Sequence, residues 1–365
     1  MTQCYSPTSG GIRTYLGAKA EWARRHGLPH AAVVTWASAG RAALWGSPVV
    51  RVRGRTPVGR WGYRIAPRPG PVISALERLR PDVVVLHDAL AFPRAVARWA
   101  RARGVGVALF CHSDLALGAA GLPAGLRGPA RAALGLVQRR ALAAPGAVLV
   151  ASETSRASVE PHTRAPVLTS RLGVDLDVFR AARPDPALRA RLAPAGRPLL
   201  LYAGRLSSDK RVDLLAPALA HVSRPAVLAV AGAGAGERSL RRGARRMGVE
   251  DRVRLLGHIA SRERLAALMA TADCFVHPNP AEPFGLCPLE ALAAGCRVVA
   301  PDSAGTAETL AGRGAVLVAP GDPAALAAGV DRALRSPRPH PDLDDLCWER
   351  TFEAEWAVYR ELAAA

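Results

Sequence analysis

Short runs of valine, leucine and alanine alternate with amphipathic stretches along almost the whole chain. This alternation limits the fold more than any other feature. AAVVTWA (31–37), PVVRVR (48–53), DVVVLH (82–87), VGVALFCH (105–112) and AVLVAS (147–152) read as strands, with helical stretches at 11–26, 71–80, 92–103 and 129–143. Continuous apolar runs imply strands buried on both faces, and intervening helices imply parallel pairing. The expected fold class is α/β, doubly wound. The opening strand is nearly missing, because Met1-Thr2-Gln3-Cys4 is soon followed by a glycine turn. Either that strand is very short, or the given start lies downstream of another.

Residues 181–196 carry three prolines and no strand, and they read as a connection between domains. The alternation then restarts with strands at 197–204, 226–232, 252–257, 273–278, 297–301 and 315–320. Helices are expected at 210–222, 235–247, 261–270, 286–294, near 306–311 and at 323–335. The expected division is 1–180, a linker at 181–196, a second domain at 197–342 and a final helix at 343–365. In that last stretch Trp348, Phe352, Trp356 and Tyr359 make an apolar stripe. The stripe covers either the first domain or its own.

At 365 residues the chain can bury two cores. No stretch reaches the roughly 18 uncharged apolar residues of a membrane-spanning helix. The first residues lack the basic-then-apolar order of a signal peptide, so the expected address is cytoplasmic. Six cysteines without C-x-x-C spacing read as reduced thiols. The net charge is +19, and of 49 basic residues only Lys19 and Lys210 are lysines. Such a charge favours anionic partners, either a phosphorylated ligand or an acidic membrane face. With 5% aromatic residues and no aromatic–basic interleaving, nucleic acid is not expected.

Several turns after strands carry chemistry. Gly10-Gly11 opens a helix, where backbone N–H groups can approach a phosphate; a plain tight turn is the alternative. In GRLSSDKR (204–211), Arg205 can fork onto phosphate oxygens and Lys210 adds a point charge; a solvated, capped turn is the alternative. VAGAGAGE (230–237) approximates a dinucleotide fingerprint, but the next strand ends in Gly257-His258 rather than an acid. A turn that lets a nucleotide base pass the backbone fits Gly232 and Gly234 as well.

EPFGLCPLEALAAG (282–295) places Glu282 before a helix and Glu290 inside it. The free N–H groups of that helix start can hold a diphosphate or sugar hydroxyls. Each carboxylate can accept paired hydrogen bonds from vicinal hydroxyls, one for a ribose and one for a hexose. His112 with Asp114, and His87 with Asp88, end two strands of the first domain. His112 contacts a ligand or is a satisfied structural histidine. His87-Asp88 contacts an acceptor or simply caps. The small apolar loop at 115–130 is either an entry for acceptor or lipid, or a surface loop without a role.

With E-P-F-G-L-C-P-L-E, G-R-L-x-x-x-K, A-G-x-G, S-G-G-I, the histidine after the fourth strand and L-G-V-D-L-D-V-F (172–179) in order, the chain resembles the retaining GT-B glycosyltransferases of family 4. The resemblance spans nearly the whole chain. It implies two Rossmann-like domains facing a central cleft, with the last helix able to cross back to the first. It implies transfer of a hexose from a nucleotide-sugar to a hydroxyl in glycan, glycolipid or natural-product glycoside biosynthesis. General resemblance favours GDP-mannose as donor.

By the same resemblance, Glu290 binds the ribose, while Glu282 and the backbone of Phe284, Gly285, Leu286 and Cys287 hold the transferred sugar. Arg205 and Lys210 neutralise the diphosphate, Gly10 and Gly11 face it from the other domain, and His112 sits beside the donor sugar. Asp175-Leu176-Asp177 is a D-x-D pair, but it lies in the boundary loop, so no metal or other cofactor is expected. A basic surface implies work at the inner, anionic membrane face. The alternatives are a nucleotide-sugar epimerase or phosphorylase on the same fold, or a nucleotide-binding module without chemistry.

Overall fold

The computed structural model describes residues 1–5, 10–56, 64–112 and 124–364. The chain divides into two compact units, Met1–Gly173 with Trp348–Ala365, and Val174–Cys347.

The strands of the first unit are β1 (Ala32–Trp36), β2 (Gly40–Leu44), β3 (Ser47–Arg53), β4 (Val83–Leu86), β5 (Gly106–Cys111), β6 (Ala147–Val150) and β7 (Val167–Thr169). Its helices are α1 (Gly11–Arg25), α2 (Gly70–Leu79), α3 (Pro93–Arg101), α4 (Ala124–Leu142) and α5 (Glu153–Val159), together with the final helix Trp348–Ala364. The orders are β1-β3-β2 and β4-β5-β6-β7, and the latter is parallel throughout. The residual opening strand is the seam between the two sets. Thr2 pairs in parallel with Val34, and the His87 N–H donates to the Met1 carbonyl at 2.9 Å. Sequence reading missed β2, which pairs antiparallel with β3. Trp45 and Gly46, both at positive φ, form the two-residue turn that this hairpin needs.

The final helix packs on the first unit. Phe352 and Tyr359 are buried, and Trp22 of α1 meets Trp356 at 5.4 Å. In the middle of that apolar stripe lies a buried carboxylate, Glu355. It accepts from Tyr15 (2.5 Å), Tyr359 (2.8 Å) and Ser170 (2.8 Å), and it pairs with Lys19 at 2.8 Å. A Cβ on Gly106 of β5 would lie 2.6 Å from the Leu362 carbonyl oxygen, so the helix needs that glycine to seat.

The strands of the second unit are β8 (Leu199–Ala203), β9 (Val227–Ala231), β10 (Val253–Gly257), β11 (Cys274–Val276), β12 (Arg297–Pro301) and β13 (Val316–Val318). They form one parallel sheet in the order β10-β9-β8-β11-β12-β13. Every residue of β8 and β9 is buried, as their unbroken apolar runs require. The helices are α6 (Leu176–Ala181), α7 (Pro186–Leu192), α8 (Leu215–His221), α9 (Glu237–Arg246), α10 (Arg262–Thr271), α11 (Leu286–Ala293), α12 (Ala304–Leu310) and α13 (Pro323–Arg335).

The stretch read as a connection, 181–196, holds α7, capped by Asp185 with Pro186 at its first position. Residues 174–180, read as the end of the first domain, group with the second unit. Val174 bridges Cys347, and Asp175 pairs with Arg262.

Candidate functional site

In the second unit, the motif residues gather on loops leaving the carboxyl ends of β8, β9 and β11. Ligands of open parallel sheets bind at that edge. The first two loops interlock through backbone. Leu206 N–H donates to the Ala233 carbonyl (3.0 Å), and Gly236 N–H donates to the Leu206 carbonyl (2.8 Å). A Cβ on Gly232 would sit 1.9 Å from the Gly204 carbonyl oxygen, and one on Gly234 would sit 2.2 Å from that of Leu206. This close packing is itself enough to require both glycines.

The loop after β11 is fixed from below. Ser303 donates to the Pro280 carbonyl (2.8 Å) and Thr309 to that of Phe284 (2.7 Å). Gly285 turns the chain at φ +92 into α11, whose N-terminus no side chain caps. The N–H groups at Leu286 and Cys287 therefore stay at the disposal of an anion. The Phe284 side chain is buried, so only its backbone can serve a ligand. At the far end Gly295 (φ +72) lets Cys296 N–H reach the Ala291 carbonyl at 2.9 Å, which closes the helix.

Glu282 and Lys210 belong to different motifs, yet they form an ion pair of 2.6 Å. Asn279 Nδ2 donates to the same carboxylate at 2.9 Å, and His277 Nε2 stands 3.7 Å from it. Burial opposes the charge on Glu282, but Lys210, His277 and Asn279 outweigh it and hold the carboxyl at about 2. Burial likewise opposes the Lys210 charge, and Glu282 prevails, leaving its pKa raised. Burial brings His277 down to about 4. Arg205 pairs with Asp209 at 2.9 Å, and Tyr202 donates to its carbonyl at 3.0 Å. Glu290 is buried against Arg262 at 3.0 Å; burial raises its pKa although Arg262 pulls the other way.

Sequence reasoning missed His277, Asn279 and Arg262. The first two stand in H-P-N-P, directly after β11, where a strand end and two prolines mark a functional loop. Arg262 was one arginine among many.

In the first unit, Gly10 and Gly11 open α1, exposed and without a capping side chain. His87 Nδ1 and His112 Nε2 lie 3.0 Å apart. Tyr15 packs edge-on against both rings, and Phe110 stacks on His112 at 4.1 Å. Burial, with the positive charge of Lys19 adding, brings His112 down to about 3, and burial takes His87 well below its ordinary value. Both rings are neutral near pH 7, so one donates to the other. Asp88 accepts from Thr2 (2.8 Å) and from the Gln3 (2.7 Å) and Leu90 (3.0 Å) N–H groups. Of the two readings open for Asp88, capping is the one its contacts supply. Asp114 and the loop segment 115–123 lie outside the described residues.

Residues 10–167 match the glycosyl transferase 4-like domain, and residues 185–345 match the glycosyl transferases group 1 model. A GDP-mannose-dependent alpha-(1-6)-phosphatidylinositol dimannoside mannosyltransferase of Mycobacterium tuberculosis is 34% identical over 286 residues, 76% of this chain and 72% of that protein. The chain is a family 4 glycosyltransferase. A D-inositol 3-phosphate glycosyltransferase 2 of Catenulispora acidiphila is 34% identical over 53% of this chain and 48% of its own length.

Sucrose-phosphate synthase from Thermosynechococcus elongatus superposes with a TM-score of 0.80 at 22% identity, over 97% of this chain and 94% of its own. Anabaena Alr3699/HepE, in complex with UDP and glucose, gives 0.68 at 21% identity over 98% and 93%. The glycosyltransferase therefore has the GT-B fold. Among its described residues no helix is long and apolar enough to cross a membrane.

Proposed function

We propose that this glycosyltransferase moves mannose from GDP-mannose to a hydroxyl of a glycolipid acceptor, with retention and without a metal. The observation that carries this is the ion pair of Lys210 with Glu282 beside the uncapped start of α11. A cation, a carboxylate and free N–H groups converge where a diphosphate-linked sugar needs all three. The mannosyltransferase relative, named for GDP-mannose and a phosphatidylinositol mannoside, supports the choice of donor and acceptor class.

Glu282 is held ionised at neutral pH, so it can only accept, as sugar hydroxyls require. Lys210 and Arg205 meet the charge that builds on the departing diphosphate as the anomeric carbon–oxygen bond breaks. The acceptor oxygen bonds to that carbon on the face the diphosphate leaves. Its proton passes to a phosphate oxygen, so no enzyme carboxylate bonds to the sugar. Glu290 takes the ribose.

On α4 the exposed Leu126, Leu136 and Val137 lie among Arg131, Arg139 and Arg140. This mixture supports peripheral contact with an anionic membrane.

The test is thermal stabilisation by GDP, UDP and their sugars, with and without EDTA, followed by transfer to a mannoside lipid with the product anomer read by NMR. A ligand at about 100 times its Kd adds about 2.7 kcal/mol. GDP-selective, EDTA-insensitive stabilisation and an α product are expected. UDP selectivity would overturn the donor, a β product the retention, and a trapped glycosyl-enzyme the single displacement.

A further inference from the structure

In L-G-V-D-L-D-V-F (172–179), Asp175 and Phe179 converge on one arginine. Arg262 Nε hydrogen-bonds Asp175 Oδ2 at 3.3 Å, and the guanidinium lies 4.9 Å over the ring of the fully buried Phe179. From that seat its NH2 group donates to Glu290 Oε1 at 3.0 Å. Arg262 is the first residue of α10, where a cation opposes the helix dipole. A residue that breaks a local rule is held there by something stronger. Here that is two carboxylates and an aromatic face, which only a planar fork can engage together.

From this arrangement we infer that Arg262, seated by Asp175 and Phe179, is a positioning residue that keeps the buried Glu290 ionised and turned to accept ribose hydroxyls. The inference rests on the donor-site reading of Glu290. A buried carboxyl that takes up a proton loses acceptor capacity and gains a donor. Arg262 and the Cys287 thiol lower the Glu290 pKa, whereas burial and the Asp175 charge raise it, with burial the largest influence and the net shift upward. Of the two groups that oppose protonation of Glu290, Arg262 acts more strongly than Cys287. It fixes one carboxylate oxygen, Oε1.

This assigns a specificity. The site distinguishes a ribonucleotide from its 2′-deoxy counterpart, because an ionised acceptor facing a missing hydroxyl forfeits a charge-assisted hydrogen bond. That bond corresponds to about 10- to 100-fold in affinity.

The experiment is calorimetric titration of the full chain with GDP and UDP and with the 2′-deoxy form of each, at about pH 6 and about pH 8. Wild type, Arg262→Gln, Arg262→Lys and Asp175→Asn are compared, with thermal melts to confirm folding. Wild type is expected to prefer the ribo form at both pH values. Arg262→Gln is expected to lose about 10-fold or more in ribonucleotide affinity and to bind both forms alike. Its residual ribonucleotide affinity should rise with pH as Glu290 deprotonates. Arg262→Lys should restore part of the preference, and Asp175→Asn should weaken it less than Arg262→Gln.

Discrimination that survives Arg262→Gln, without any new pH dependence, overturns the inference alone. Wild-type protein that binds neither nucleotide overturns the donor-site reading and the inference with it.

Discussion

The chain keeps only two lysines, and each makes an ion pair with a glutamate, one in each unit. Lys19 is sealed, with side-chain exposures of 4% for it and 0% for Glu355. All three of its N–H donors are used, on Glu355 (2.8 Å), Tyr15 (3.0 Å) and Tyr359 (2.7 Å). Lys210 and Glu282 are 25% and 17% exposed, and among the described residues the Lys210 ammonium hydrogen-bonds Glu282 alone. Burial lowers the Lys19 pKa despite Glu355, whereas Glu282 outweighs burial and raises that of Lys210. A cation whose donors are all spent on the protein holds the fold together. A cation with donors to spare can still meet a ligand. Where every other positive charge is arginine, a compact ammonium survives at the two places where a planar fork fits worse.

The contrast is broken most forcefully in the first unit. Glu355→Leu strands a buried ammonium and is expected to cost about 3–5 kcal/mol in denaturant unfolding. Lys19→Met with Glu355→Leu should recover most of that loss, because burying an apolar pair demands no desolvation. Wild-type stability of the single variant would deny the pair its structural role.

In the second unit the effect should move from stability to rate. Lys210→Ala, Arg205→Ala and Glu282→Ala are each expected to lower transfer by about 10²–10³-fold. Melting temperatures should fall less than for Glu355→Leu, since these pairs are less sealed than Lys19 and Glu355. Wild-type turnover in any of them would refute the site assignment.

Exchanging lysine for arginine sharpens the comparison. Lys19→Arg overfills a sealed site and should cost about 1–3 kcal/mol. Lys210→Arg should stay as stable as wild type and keep part of the activity.

The smallest effect is the pH response. His112 (about 3) and His277 (about 4) have folded pKa values below the ordinary 6.5, so protonation favours unfolding. Their contribution is intact above about 6.5 and is lost as pH falls toward those values. The stabilisation from Glu282, at about 2 against 4.5, is intact above about 4.5 and is lost as pH falls toward about 2. Melting curves across that range should fall in two stages, and His112→Asn should shallow the upper one.

Both Rossmann-like units were legible in the sequence, because period and burial dictate the strands, and E-P-F-G-L-C-P-L-E marked the helix that carries the site. What stayed hidden depends on distance in space. Nothing in the spacing of Lys210 and Glu282 announces a 2.6 Å pair, because three strands and their crossovers separate them. Nothing near Glu355 in the sequence announces Lys19 and the three hydroxyls that surround it. β2 reads as G-R-A-A-L, without the branched residues that signal a strand, and only its hairpin turn could have disclosed it. Asp88, read as an acceptor contact or a cap, ties residues 2 and 3 to the strand beside them.

The helix that closes over Gly106 sets an order on synthesis. The first unit needs residues from 348 onward, whereas the second draws only on 174–347. On the ribosome the later unit has its full complement of strands and helices first. The earlier one waits with Tyr15, Lys19 and Trp22 uncovered until the last turns of the chain emerge. A chain ended at Cys347 would leave that surface bare for good and give a sound second unit beside a first that aggregates.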